Sequence, residues 1–171
     1  MKTTFAALSL LMLAGRCPAQ SPEVGAKYKS GGATVEVVEN GASCRLEYKS
    51  QDVLLDETNQ RADIEMWDPE KTEEERSAIP LGGCIIVHVS DSTIDGANTK
   101  YWEYVLQTTR GKRILVQRGK DEIPEHTVMG SVTIWWNIDT VYLSDKLSSS
   151  IKVFVIDNLR QKRSAFIISP Q

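Results

Sequence analysis

At 171 residues, with 20 Lys and Arg against 23 Asp and Glu, the chain has the size of one domain able to bury a sizeable core. Its net charge of −3 at pH 7 argues against nucleic acid as a partner, because phosphate binding needs a basic surface. Charged residues interrupt every apolar run, and none reaches the roughly 20 residues of a bilayer span, so no transmembrane segment is expected.

The opening "MKTTFAALSLL" places Lys2 ahead of a short apolar run, the layout of a secretory signal. Small residues at Cys17 and Ala19 predict a signal peptide over residues 1–19, with Gln20 as the new amino terminus. Without Arg16, "LAGRC" would read as a lipoprotein acylation box. The guanidinium directly before the cysteine argues against a lipid anchor at Cys17. Loss of Lys2 and Arg16 would leave 18 basic and 23 acidic residues, a net charge of −5. The expected location is secreted or periplasmic.

Two cysteines follow the signal, Cys44 and Cys84. In an exported chain they are read as a disulfide closing a loop of about 40 residues, worth roughly 4 kcal/mol in the chain-entropy model. Two separate buried thiols are the alternative.

Residues 20–32, rich in Ser, Pro, Gly and Lys, are expected to be a flexible lead-in, and residues 33–171 a single domain. Alternating runs on either side of Asn40-Gly41 predict a hairpin pairing residues 34–39 with 43–49, continued by 53–55. "RADIEMW" alternates as a strand, with Trp67 on its polar side. In "DPEKTEEERSAIP", Thr72 and Glu75 resemble a capping box, giving one short surface helix or else a solvated acidic loop.

Six further runs follow: "CIIVHVS", "WEYVLQTT", "KRILVQRG", "SVTIWWNIDTVYL", "IKVFVID" and "RSAFIIS". Most are bounded by turn residues, and the last two make a terminal hairpin. Roughly nine or ten short strands without helical crossovers predict an all-β antiparallel β-sandwich, immunoglobulin-like or fibronectin-like. The order Cys44, Trp67, Cys84 parallels that of antibody domains over a shorter interval, an echo of architecture rather than a family assignment.

The chemistry-bearing candidates are few. In "SVTIWWNID" the pleat puts Trp136 with Val132, Ile134 and Ile138 toward the core, and Trp135 outward with Asn137 and Asp139. An outward ring beside an amide and a carboxylate could hold a sugar, with Trp67 as a second aromatic. Trp102, Tyr104 and Leu106 read as core. "SDSTIDGAN" resembles the start of a calcium loop, but Trp102 stands where an EF-hand needs its bidentate Glu. His88 and His126 belong to no zinc pattern. His88 is expected to be a hydrogen-bonded ring on a strand covered on both faces. Arg160, Lys162 and Arg163 form a basic turn, either solvated or anion-binding.

No G-x-S-x-G elbow, phosphate cradle or dinucleotide fingerprint occurs. No cofactor, metal or catalytic set is therefore expected. The leading functional expectation is an exported, non-enzymatic β-sandwich that binds or supports a protein or carbohydrate partner. The alternatives are a carbohydrate-binding module using Trp67, Trp135, Asn137 and Asp139, and a small secreted hydrolase built on paired acids.

Overall fold

The computed structural model describes residues 21–171. Residues 1–19, where a signal peptide is expected, and Cys17 within them lie outside the described residues.

Alternation makes the first long strands. Ala33, Val35 and Val37 are buried on one face of β2 (Ala33–Asn40), and Cys44, Leu46 and Tyr48 on one face of β3 (Cys44–Lys49). The two strands do not pair as a hairpin. β2 lies between β1 (Lys27–Ser30) and β10 (Lys162–Pro170), whereas β3 pairs with β4 (Cys84–Asp91) in the other sheet. Their apolar faces therefore meet across the core instead of lying side by side.

Asn40-Gly41 serves this sheet switch. Gly41 does not adopt positive φ; its N–H donates to the Arg163 carbonyl at 2.9 Å, and a Cβ would lie 2.6 Å from that oxygen. Beside it, the fully buried Ser164 Oγ accepts from the Ala42 N–H at 3.0 Å and donates to the Ala42 carbonyl at 2.9 Å. The hydroxyl thus satisfies the Ala42 N–H and shares the carbonyl with the Cys44 N–H, 2.9 Å away, at a corner where no ladder exists.

The remaining strands are β5 (Trp102–Thr108), β6 (Arg113–Arg118), β7 (Glu125–Met129), β8 (Val132–Tyr142) and β9 (Ile151–Asp157). The sheets are antiparallel, six-stranded in the order β1-β2-β10-β9-β5-β6 and four-stranded in the order β3-β4-β8-β7. They pack face to face as a sandwich. Trp102, Tyr104 and Leu106 fill the core as expected, with Phe166, Val153 and Val155 beside them. The β9-β10 hairpin also forms as expected. β1 corrects the flexible lead-in: Tyr28 packs on the core, and the Gly31-Gly32 turn, both at positive φ, folds the strand back onto β2.

Helix content exceeds the one short helix expected. Residues 53–55 and "RADIEMW" are not strands but α1 (Gln51–Ile64) and its C-terminal cap. Ser50 caps the helix start through its Oγ. Met66 takes φ 52° while Trp67 N–H reaches the Ala62 carbonyl at 2.9 Å, a Schellman closure with Met where Gly is usual. Ile64 and Met66, at 72% and 89% exposure, have no sheet to face. α2 (Pro69–Ser77) does form, but its cap is Asp68 followed by Pro69, not Thr72. A short α3 (Ile94–Ala97) and a 3-10 turn (Thr99–Tyr101) precede β5. Among the described residues no helix is long and apolar enough to cross a membrane.

Leu54 of α1 packs with Cys84 and Ile86 on the outer face of β4, so this end of β4 is covered on both faces, as expected. That arrangement overturns the disulfide. Cys44 pairs opposite Val89 and Cys84 opposite Lys49, five residues apart along the ladder, about 17 Å at the rise of a strand, against a limit of roughly 7 Å between bridged Cα atoms. The two side chains also sit in different clusters, one on each face of the sheet. Both are buried free thiols, and burial raises Cys44 to about 12 and Cys84 to about 11. Such thiols supply little thiolate for oxidation.

Two stability measurements test these local arguments. Ser164→Ala strands the buried Ala42 N–H, while the Ala42 carbonyl keeps the Cys44 N–H; one such orphan is worth roughly 1–3 kcal/mol, so urea unfolding is expected to show a clear loss, and an unchanged midpoint would contradict the corner staple. Met66→Gly relieves a left-handed Met at a cost of lost packing close to nil, and is expected to gain about 1 kcal/mol as a raised thermal midpoint.

Candidate functional site

Six strands facing four leave the sandwich unevenly covered, and the seam beside β8 is where the mismatch falls. β7 pairs with β8 only as far as Trp136, so among the described residues no strand pairs the free edge of β8 from Asn137 onward. The edge strand β6 of the other sheet leans toward it, and Gln117 Nε2 donates to the Thr140 carbonyl at 3.1 Å. This side-chain bridge divides the seam in two.

Above the bridge the seam is polar and closed. Asp139 is only 4% exposed, with Oδ1 accepting from the Thr140 N–H at 2.8 Å. Gly119 lets the backbone close over it: a Cβ there would lie 2.1 Å from the Thr99 carbonyl and 2.9 Å from Asp139 Oδ2. Thr99 Oγ1 donates to the Lys120 carbonyl at 2.7 Å and Asn98 Nδ2 to Asp121 Oδ1 at 2.9 Å, locking the two covering loops together. Asp139 Oδ2 and Tyr104 Oη make no well-formed hydrogen bond, yet they lie within electrostatic range of each other. Burial holds the Asp139 carboxyl above the ordinary carboxylate range. The Tyr104 phenol is raised by burial and then by the Asp139 charge.

Below the bridge the seam opens into a cleft of ≈ 300 Å³. Its floor is aliphatic, from Leu106, Leu115, Leu143, Leu147 and Ile151. The loop of residues 143–150, which carries the chain from β8 to β9, makes the opposite wall and the rim. Gly82 positions this loop. Its N–H donates to the Leu143 carbonyl at 3.0 Å, and a Cβ would lie 2.3 Å from the Asp145 carbonyl. At the far end the Ser150 and Ser169 hydroxyls are 2.8 Å apart. Tyr142, Lys146, Ser148 and Ser149 stand on the rim, and Ser144 Oγ donates to Asp145 Oδ2 at 2.9 Å.

The structure places the sequence-predicted residues differently. Trp135, Asn137 and Asp139 do share one side of β8, but it is the side facing the other sheet. Asn137 and Asp139 pair opposite the core residues Val89 and Val87. Trp136 and Ile138 take the outer face, opposite Ser90 and His88. The pleat was right and the facing reversed, because β8 carries polar residues into the interior, where the loops above cover Asp139 and hold the Asn137 amide. Trp135 is half-buried with the His126 ring 4.9 Å away, and Asn137 Nδ2 donates to the Glu122 carbonyl at 3.4 Å. Trp67 lies in the link between α1 and α2, outside both sheets. Its indole N–H donates to Glu65 at 2.7 Å, and Lys71 Nζ covers the ring at 4.3 Å.

The other candidates are tied into the frame. Arg160 Nη2 reaches Asp91 at 2.6 Å and Thr93 Oγ1 at 3.1 Å, and Nη1 reaches the buried Asp157 at 3.4 Å. The calcium-like segment and the basic turn are thus two halves of one clasp between the sheets. Arg163 pairs with Glu39 at 2.6 Å. His88 is half-buried without a well-formed hydrogen bond at Nε2, 3.7 Å from Glu47. The His88 ring, with Arg45 behind it, holds Glu47 below the ordinary carboxylate range. Among the described residues no three His, Cys, Asp or Glu are placed to hold a metal ion.

Sequence reasoning missed the cleft. Its only trace is "LSDKLSSS", where Leu143 and Leu147 punctuate a polar loop. The site depends on strand order, which no local pattern carries. No protein-family model matches the chain, and neither a curated protein nor a solved structure shows significant similarity to it.

Asp139 gives this seam a pH dependence. An acid whose folded pKa is raised stabilises most below its unfolded value of about 3.9, and that stability is lost as pH rises through the folded value. Wild type is therefore expected to lose stability relative to Asp139→Asn over that rise. Urea unfolding from pH 4 to pH 8 checks it; parallel curves would show that Asp139 is not perturbed.

Proposed function

We propose that this chain is an exported, non-enzymatic binding domain, secreted or periplasmic, of the immunoglobulin-like or fibronectin-like sandwich class in the broad sense of two packed antiparallel sheets. Its own strand order is six plus four. The reading of export rests on the leader-like residues 1–19. The observation that carries the binding role is the ≈ 300 Å³ cleft, which joins an apolar floor to a polar rim on a rigid frame.

Protein geometry favours the cleft over the tryptophan set as the binding surface. Asp139 is covered, the Asn137 amide is engaged by Glu122, and Trp67 sits away from the strands with its ring already capped by Lys71. Acids placed for catalysis would be expected to converge on open space. Asp91, Asp157, Glu39 and Glu57 instead meet Arg or Lys at 3.4 Å or less.

Nile red, a neutral probe whose fluorescence rises in apolar surroundings, tests the cleft. The purified protein is expected to bind it saturably at one site, and Ser148→Trp, a rim substitution that touches no core residue, is expected to abolish the signal. No saturable signal, or one that survives Ser148→Trp, would overturn the reading.

A further inference from the structure

We propose that the cleft takes an unbranched aliphatic carboxylate, its hydrocarbon chain lying on the floor and its head group held at the rim beside Lys146. This inference rests on the binding role proposed above and names its ligand class.

Two observations carry it. The floor is made of Leu and Ile side chains, with Leu115 and Leu147 partly exposed to the cleft and Leu106, Leu143 and Ile151 backing them from the core. A sugar or peptide laid there would strand hydroxyls or amides without partners, at a cost no rim contact repays. An alkyl chain has no such groups, and each methylene removed from water strengthens binding about fourfold.

The rim is rich in donors. Tyr142, Ser148 and Ser149 carry hydroxyls, and Lys146 brings an ammonium that makes no ion pair among the described residues. A carboxylate accepts only, and so matches such a set. Asp145 is the opposing charge, and Ser144 Oγ engages one of its oxygens. Its residual charge places the head group on the Lys146 side of the rim.

Isothermal titration of the purified protein with hexanoate, octanoate and decanoate tests the proposal, with octanol and octylamine as controls. Affinity is expected to rise about fourfold per methylene until the cleft is full, with octanoate tighter than both controls. Lys146→Gln is expected to weaken octanoate about threefold, the scale of an exposed ion pair, and to leave octanol and Nile red unchanged. Asp145→Asn is expected to tighten octanoate. Affinity indifferent to chain length, or octanol or octylamine binding as tightly as octanoate, would overturn the ligand class. If Nile red still binds and Ser148→Trp still blocks it, the binding role stands and only this inference fails; if no alkanoate and no Nile red binds, both fail together.

Discussion

The fold depends on one corner. Between Asn40 and Cys44 the chain leaves the six-stranded sheet and enters the four-stranded one, so a pair of alternating strands that could have lain side by side encloses a core instead. A backbone crossing between sheets gives up ladder partners for its N–H and C=O groups, and buried groups left so would oppose the crossing. Ser164, arriving from the far end of the chain on β10, gives the Ala42 N–H its acceptor and adds a second donor to the Ala42 carbonyl beside the Cys44 N–H. The switch is therefore completed only when the carboxy-terminal strand has docked beside β2. Sandwich formation couples the first and last long strands for this reason.

Edges then decide where the structure is open. On one flank, Ser30 Oγ donates to the Tyr48 carbonyl and accepts from its N–H, both at 2.9 Å, and Tyr28 Oη reaches the Leu46 carbonyl at 2.5 Å. β1 thereby covers the edge of β3 with side chains, which blunts a strand edge without continuing the sheet. On the other flank Gln117 performs this task, with loops sealing the seam on one side of it and leaving the cleft on the other. The cleft is the residue of unequal sheets, closed where polar groups were buried and open where the facing side chains are aliphatic.

Much of the architecture was legible because it rests on period two. Trp102, Tyr104 and Leu106, the β9-β10 hairpin and the double cover of β4 follow from alternation and its local exceptions. What failed was information that alternation does not contain. Ile64 and Met66 alternate, yet Ser50 and Asp52 start a helix whose buried positions, Leu54 and Ala62, lie eight residues apart on one helical face. Asn40-Gly41 is a hairpin signal only if its neighbours pair, and a glycine chosen for close approach to Arg163 looks the same in sequence as one chosen for positive φ. The face of β8 was misjudged because polarity was equated with solvent, whereas Asn137 meets the Glu122 carbonyl and the backbone at Gly119 closes over Asp139.

The same misjudgement bears on function. Residues that stand out in the sequence, a lone Asp among apolar neighbours or an Arg in a turn, are conspicuous because their chemistry demands a partner. Arg160, Asp91 and Asp157 find theirs in one another and bind the two sheets together; Asp139 finds burial beside Tyr104. A group so occupied has little left for a ligand. The residues free to act are instead inconspicuous, Ser148, Ser149 and Lys146 in a polar loop held over leucines. Their availability follows from the mismatch of six strands against four, since a matched pair of sheets would bury the same leucines and leave the loop nothing to border.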